Sequence, residues 1–282
     1  MALDRRTFLR QSAAATVFLG FGTLARTQGR ADGAGEILEK ARARMKRDRM
    51  VGIALYVPGK PEDRAALGRA LEGMVGSNDV GVQEVLLEAV YFCVPPLLVD
   101  GRQVENVVLF DPDMRRIAGA DLDYRTLVPD VGGKGKAPRP GSGFPVRLFE
   151  GVRELLHGEG RLEARAKAST TPELEAAIRT IDENASADPE AFRKADHYLS
   201  TNFDRCAAAI AFARAEAERN HRTTFLHSFI RQRYAVRLSA EGEWNLPYGV
   251  AWKTEPRPDP CPACGMAIVP PVTRTFLKFL LE

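Results

Sequence analysis

Two cysteines and a methionine near the end of the chain form the segment with the clearest chemistry. Cys261 and Cys264 are separated by two residues, and Met266 follows them after a glycine. Two thiolates at this spacing can face one soft metal ion, and the glycine permits the tight turn that brings backbone N–H groups to the sulfurs. A thioether beside two thiolates suits copper(I). The pattern therefore predicts a zinc or copper site at Cys261, Cys264 and Met266.

The motif also resembles two known kinds of metal-binding loop. The sequence Cys-Pro-Ala-Cys-Gly at 261–265 resembles the knuckle of a zinc ribbon, in which a second knuckle completes four ligands. Of the four histidines, His221 and His227 lie closest in sequence and could complete such a site. Cys-x-x-Cys-Gly-Met resembles the motif of copper-binding accessory proteins that assist maturation of nitrous oxide reductase. That resemblance covers this one loop and implies that the two cysteines and the methionine are ligands.

The same cysteine pair allows other functions. A Cys-x-x-Cys pair at a helix N-terminus has a lowered thiol pKa and exchanges disulfides. A local disulfide, or a zinc ion used only as a staple, would instead pin the C-terminal tail. The other two cysteines, Cys93 and Cys206, lie in apolar patterns and are predicted to be core residues. Staple, functional metal site and redox pair therefore remain as three alternatives for Cys261 and Cys264.

The N-terminus carries a targeting pattern. Arg5 and Arg6 are followed by Phe8 and Leu9, and then by an apolar stretch. This arrangement resembles the twin-arginine export signal of bacteria, which moves proteins that are already folded. The apolar stretch is about 13 residues long, which is short for a bilayer crossing of roughly 20 residues. The resemblance implies a signal segment over residues 1–31, the export machinery as a partner and a periplasmic or extracytoplasmic location.

The positive net charge of the chain comes from this signal segment, the leader. Residues 1–31 hold five arginines and one aspartate, so the net charge of +3 for all 282 residues becomes about −1 without them. No basic field remains that would favour nucleic acid or anionic lipid as a partner. Four cysteines are few for a disulfide-stapled secreted scaffold, and a chain of this length can bury a core without one.

Strand and helix patterns alternate in the first half of the chain. Apolar runs closed by Pro or Gly predict buried strands, and apolar stripes at helical spacing predict helices. The order implies an α/β layer. The predicted elements are a helix at 36–47, a strand at 50–57, a helix at 61–75, and strands at 85–94, 107–110 and 115–118.

This order of elements, ending in a hairpin around Asp111-Pro112-Asp113, resembles the thioredoxin fold over roughly residues 50–125. Thioredoxin-like proteins end their sheet with such a hairpin. The family places its catalytic Cys-x-x-Cys after the first buried strand. In this chain, residues 57–63 follow that strand and contain no cysteine. The resemblance therefore implies the fold without the usual dithiol chemistry in its usual place.

The second half of the chain is predicted to be helical. A Gly/Pro-rich linker at 131–144 precedes five apolar stripes at helical spacing within 145–237, which suit a bundle or stacked hairpins. The part from 188 to 231 resembles one degenerate HEAT-type repeat. The fold class is thus α+β, with an α/β thioredoxin-like domain at 34–130, the linker, a helical domain at 145–237 and a C-terminal segment at 238–282 with the cysteine pair.

No pattern for a catalytic site is found beyond the cysteine pair. The sequence contains no glycine-rich phosphate loop, no Ser-His-Asp pattern and no His-Glu-x-x-His motif. We therefore expect a non-enzymatic exported binding or scaffold protein with a metal-binding knuckle. The alternative is a thiol-redox or copper-handling protein that acts through Cys261 and Cys264. A protein partner would bind the helical region or the apolar tail at 276–281.

Overall fold

The chain folds into a small mixed sheet with helices on both of its faces. The computed structural model describes residues 30–77, 79–95, 98–99, 102–103, 105–125, 128–129, 143–144, 146–183, 188–240, 246–254 and 272–277. Within these residues the prediction of a mixed α+β protein is confirmed, and helix predominates over strand.

The helices are α1 (Arg30–Asp48), α2 (Pro61–Val75), α3 (Val80–Glu88), α4 (Val146–His157), α5 (Arg161–Ser169), α6 (Pro172–Asp182), α7 (Pro189–Thr201), α8 (Phe203–Arg219) and α9 (Leu226–Ala240). The strands are β1 (Val51–Tyr56), β2 (Ala89–Val94), β3 (Leu98–Val99), β4 (Arg102–Gln103), β5 (Val107–Phe110), β6 (Arg116–Ala120), β7 (Val128–Pro129), β8 (Gly143–Phe144), β9 (Val250–Thr254) and β10 (Val272–Leu277).

The central sheet has four strands in the order β2-β1-β5-β6. β1 and β2 run parallel, with Val51 opposite Ala89, while β5 runs antiparallel to both β1 and β6. Three short antiparallel pairs, β3–β4, β7–β8 and β9–β10, lie outside this sheet. The parallel pair is connected through α2 and α3, as expected for strands that need a crossover.

Alternate residues of the strands face two different layers. Ala54, Tyr56 and Phe92 face α1, which covers one side with Ile37, Ala41 and Met45. On the other side the sheet contributes a second set of buried side chains to a large core shared with the helices: Ile53, Leu55, Tyr91, Cys93, Val107 and Leu109. Period-2 alternation in fully buried strands is what a sheet covered on both faces requires.

The helices that follow the predicted linker belong to the same core as the sheet. Leu148 on α4, Ile178 on α6 and Ile210 on α8 lie in one cluster with Ile53 and Leu109 of the strands. The hydroxyl of Tyr234 on α9 donates to the carbonyl of Val75 at the end of α2, at 2.6 Å. The sequence-based division into an α/β part and a helical part thus describes segments along the chain that share a single core.

One strand prediction is wrong over the first part of its length. The apolar run 85–94 predicts extended backbone throughout, but α3 continues to Glu88 and β2 begins at Ala89. Asp79 initiates α3, because its carboxylate accepts a hydrogen bond from the backbone N–H of Val82 at 3.1 Å. Every residue of α3 from Val82 onward is buried. A helix that is buried in this way is as apolar as a buried strand, so composition does not distinguish the two.

The free edge of β2 is covered by the segment around Tyr248. The N–H of Tyr248 donates to the carbonyl of Tyr91 at 2.9 Å, and the N–H of Cys93 donates to the carbonyl of Tyr248 at 2.7 Å. Gly249 follows with a φ of +79°, and a β-carbon there would lie 2.4 Å from the carbonyl oxygen of Cys93. Only glycine fits this approach of backbone to backbone.

Several predicted segments lie outside the described residues. They include the signal residues 1–29 and all of the linker except the short strand β8. Among the described helices, none combines the length and apolarity needed to cross a membrane.

Candidate functional site

The predicted metal and signal residues fall outside the described part of the chain. Cys261, Cys264 and Met266 lie within 255–271, and Arg5, Arg6, Phe8 and Leu9 lie within 1–29. Within the ranges that the structure does describe, no group of three or more His, Cys, Asp or Glu side chains is placed to hold a metal ion.

The two histidines considered for the metal site occupy different surroundings. His221 stands in the turn before α9 with a φ of +52°. His227 lies on α9, and its Nε2 is 3.5 Å from the Glu218 carboxylate on α8. Their ability to join Cys261 and Cys264 remains a prediction.

The other two cysteines are core residues, as the sequence predicts. Cys93 in β2 and Cys206 on α8 both have 0% of their surface exposed. Burial raises the pKa of the Cys93 thiol. The Cys206 thiol lies 3.5 Å from the carbonyl oxygen of Phe203 in its own helix. Neither sulfur is reached by solvent, so neither can serve as an exposed nucleophile or metal ligand.

Helix α3 carries two buried glutamates, which organise the most polar part of the core. Glu84 and Glu88 are one helical turn apart, and both side chains are almost completely buried. α3 is packed against α4, α8 and α9, so each carboxylate must find its partner on another helix. A buried charge without a partner would cost several kcal/mol, which is comparable to the free energy of unfolding of a typical domain.

Glu88 is held by an imidazole and a guanidinium from the neighbouring helices. His157 Nε2 lies 2.6 Å from Glu88 Oε1, and Arg165 Nη2 donates to Glu88 Oε2 at 2.8 Å. Arg165 Nη2 also donates to the carbonyl of Leu156 at 2.9 Å. Burial opposes ionisation of Glu88, but His157 and Arg165 outweigh it and lower the pKa of this carboxyl. The carboxylate is therefore ionised and both of its oxygens are engaged.

Glu84 forms the second pair, with Arg214 of α8. The Nε of Arg214 donates to both carboxylate oxygens at 2.9 Å, and its Nη2 contacts the same group. Burial beside Glu88 raises the pKa of Glu84, and Arg214 opposes that shift. Burial alone would lower the pKa of Arg214, but Glu84 and then Glu218 raise it. Both pKa shifts belong to the same ion pair. Arg214 keeps its proton, and Glu84 ionises because the guanidinium stabilises its negative charge.

A cleft opens beside Glu88, between the start of β1 and the helices α5 to α8. Its volume is about 490 Å³. Its polar lining residues are three arginines, a tyrosine, three hydroxyl residues, an asparagine and two acidic residues: Arg49, Glu88, Arg165, Ser169, Thr170, Thr171, Tyr198, Asn202, Asp204 and Arg205. The rest of the wall is largely apolar, with Met50 and Leu174 buried beneath it. We call this space the basic cleft.

The basic cleft is equipped for binding. Glu88, its one nearly fully buried carboxylate, already accepts from His157 and Arg165 with both of its oxygens, which favours a structural role for it. Arg165 is fixed in place by the same contacts and has further donors that face no partner among the described residues. The arrangement therefore presents fixed cationic donors over an apolar floor.

Sequence reasoning does not find the residues of this network. No local pattern gives His157 a partner, because Glu88 lies 69 residues away. The partners Glu84 and Arg214 are 130 residues apart. The usable signal is the spacing of Glu84 and Glu88 inside an otherwise apolar run, because two carboxylates within a buried segment require cations from elsewhere.

Comparison of the chain with protein-family models, with curated proteins and with solved structures gives no match.

Changing Glu88 to Gln is expected to cost about 2 kcal/mol of stability near pH 7, because two charge-assisted hydrogen bonds are lost while the shape is kept. The lowered pKa of Glu88 means that its contribution is present above the ordinary value of 4.5 and disappears as pH falls through the lower folded value. Urea unfolding at about pH 7 and about pH 3 should therefore give a difference from wild type that is smaller at the acid end.

Glu39→Gln is the matched control, since Glu39 is an exposed glutamate of α1. Its effect should be within about 0.5 kcal/mol at both pH values. A Glu88→Gln penalty that stayed constant down to pH 3 would contradict an ionised Glu88 in the folded protein.

Proposed function

We propose that this chain is an exported, non-enzymatic binding or scaffold protein whose C-terminal knuckle, Cys261, Cys264 and Met266, binds zinc or copper. The proposal is supported by the burial of two of the four cysteines. Cys93 and Cys206 are enclosed in the core, which leaves Cys261 and Cys264 as the two thiols available for soft-metal chemistry. Their spacing is that of a metal-binding pair.

The state of the described carboxylates favours binding over catalysis. Glu84 and Glu88 are committed to Arg214, His157 and Arg165. Such pairs fix the helices against the sheet, and their carboxylate oxygens are engaged by donors of the protein itself. We therefore assign them to the architecture of the protein and assign its function to the ligands that it holds.

A thioredoxin-like classification of the sheet belongs to this proposal. It is supported by a parallel pair, β1 and β2, next to an antiparallel hairpin, β5 and β6, which completes the sheet. Pro58 to Asp63, which occupy the position of the family's active-site turn, contain no cysteine. A turn without a dithiol favours a binding role over dithiol exchange for this part of the chain.

The twin-arginine pattern at Arg5 and Arg6 favours a location in the periplasm or another extracytoplasmic compartment. Residues 188–231, which span α7, α8 and the start of α9, would form the degenerate HEAT-type repeat. A protein partner would dock on this helical region or on the apolar tail, and nucleic acid is not expected as a partner because the chain without its leader has a net charge of about −1.

The second candidate is a thiol-redox or copper-handling protein that acts through the same pair. Cys-x-x-Cys followed by Gly265 and Met266 favours it, since a thioether beside two thiolates selects copper(I) over zinc. The two candidates differ in metal identity and in whether the pair cycles between dithiol and disulfide.

Elemental analysis with thiol counting tests both candidates on the exported chain, purified without added metal. We expect about one zinc or copper ion per chain, and we expect it to be lost in a Cys261→Ser/Cys264→Ser variant because two of its ligands are gone. Zinc would favour the binding or scaffold protein, and copper would favour copper handling.

The matched control is Cys93→Ala/Cys206→Ala, which removes the same number of thiols from the core and should keep the metal. Metal retained in the Cys261/Cys264 variant, or lost in the control when the fold is intact, would overturn the assignment. A metal-free protein with a reversible disulfide between Cys261 and Cys264 would select the thiol-redox candidate.

A further inference from the structure

We propose that the basic cleft is a second binding site, independent of the metal knuckle, and that its ligand is a small organic carboxylate with an apolar body. The guanidinium groups of Arg49, Arg165 and Arg205 would hold the carboxylate. Met50, Leu174 and Tyr198 would contact the body.

Two of the three arginines are held at the cleft without an anion of their own. Arg49 and Arg205 are exposed and have no ion-pair partner within the described ranges. The carboxylate next to Arg49 along the chain, that of Asp48, is already taken by Arg44 and Arg47. The charges of Arg49 and Arg205 are therefore available to an incoming ligand.

The backbone conformation of Arg49 helps to place this residue at the cleft. Its φ is +55°, an unusual conformation for a residue with a side chain. The following N–H, that of Met50, donates to the carbonyl of Met45 at 3.0 Å, which closes the turn between α1 and β1. This conformation places residue 49 on the wall of the cleft directly before the strand enters the core.

Arg165 supplies a fixed donor at the base of the cleft. Its Nη2 is held by Glu88 and by the Leu156 carbonyl, while its Nε and Nη1 have no hydrogen-bond partner among the described residues. Because the guanidinium is already oriented, a ligand carboxylate would meet a donor that loses little freedom on binding.

The carboxylates of the cleft do not cancel this positive charge. Glu88 is paired with Arg165 and hydrogen-bonded to His157. Asp204 also lines the cleft, but it lies in the fields of Arg47 and Arg233 as well. The balance around the opening is therefore cationic, which selects an anionic ligand.

The volume of the cleft and its apolar floor favour a ligand whose carboxylate is attached to an apolar body. About 490 Å³ lies within the range of roughly 300–1,000 Å³ that is usual for small-molecule sites. Met50 and Leu174 are buried below the surface and Tyr198 is half-buried, so the floor offers apolar contact. Planar guanidinium forks match a planar carboxylate, and an apolar body would fill the space that an inorganic ion leaves empty.

Isothermal titration of the full-length protein with phenylacetate, decanoate and indole acetate tests the proposal. We expect at least one of these carboxylates to bind with a Kd below about 1 mM, and the matching primary amide to bind at least about tenfold more weakly. Arg205→Ala and Arg49→Ala should each weaken the carboxylate about tenfold. Both residues are exposed, and unchanged thermal midpoints would verify that the variants fold.

The control variant is Arg69→Ala, an exposed arginine of α2 that does not line the cleft. The proposal is overturned if no carboxylate binds, if amides bind equally well, or if Arg69→Ala weakens binding as much as Arg205→Ala. Inorganic phosphate that binds as tightly as the best carboxylate would overturn the role of the apolar floor. Titration of the Cys261→Ser/Cys264→Ser variant should give the wild-type Kd, which separates this site from the metal knuckle.

Discussion

Arg214→Ala is expected to destabilise the protein by about 3–5 kcal/mol, the largest loss for any single charged side chain described above. The side chains of Arg214 and Glu84 are only 5% and 4% exposed, so the substitution leaves a buried carboxyl group that must take up a proton or carry an uncompensated charge. Glu88 lies one turn away and adds a like charge. Urea unfolding near pH 7 should show a lower midpoint with an unchanged slope.

Arg219→Ala is the matched control on the same helix. Arg219 is 70% exposed and pairs with Glu216 at the surface, so its loss should cost less than about 1 kcal/mol. A double variant, Glu84→Leu/Arg214→Met, removes both buried charges and should recover most of the stability. If the double variant were as unstable as Arg214→Ala, packing and not the uncompensated charge would explain the loss.

Gly249→Ala is expected to cost about 3 kcal/mol or more, because strain at a positive φ adds to a collision between backbone atoms. The new β-carbon would lie 2.4 Å from the carbonyl oxygen of Cys93 and 3.0 Å from Ile37. Relief requires moving the segment that covers β2, which would break the hydrogen bonds of Tyr248 with Tyr91 and Cys93. Denaturant unfolding measures the loss, and amide exchange at Cys93 should accelerate.

Gly160→Ala separates strain from collision. Gly160 also has a positive φ, +70°, but no atom lies within 4 Å of the position that a β-carbon would take there. Its substitution should cost only about 1 kcal/mol, the strain of the left-handed conformation. Equal losses at both glycines would show that the close approach to Cys93 does not matter.

The sequence predicts elements well where the pattern has a single interpretation. The helix Pro61–Val75 and the strand Val107–Phe110 are found at the predicted bounds. Proline at the first helical turn marks the start of the former, and a turn sequence closes the latter. The prediction for the run 85–94 is half wrong because a helix buried on all sides and a buried strand share one composition. Tertiary packing decides between them.

The candidate site could be predicted much less well than the fold. Motif spacing finds cysteines that are close in sequence, and apolar patterning correctly identifies the core thiols of Cys93 and Cys206. The basic cleft is assembled from distant segments, with Arg49 in the turn before β1, Arg165 on α5 and Arg205 on α8. No local spacing connects these residues, because only the packing of the helices on the sheet brings them together.

The contacts between distant segments also determine when the nascent chain can fold. Glu84 meets Arg214 across 130 residues, and Val75 meets Tyr234 across 159. The apolar faces of α2 and α3 therefore stay uncovered on the ribosome until α8 and α9 have been synthesised. Closing such long loops is entropically costly and slow. Residues 51–94 are therefore the part of the chain for which we expect exposure of apolar surface during translation to last longest.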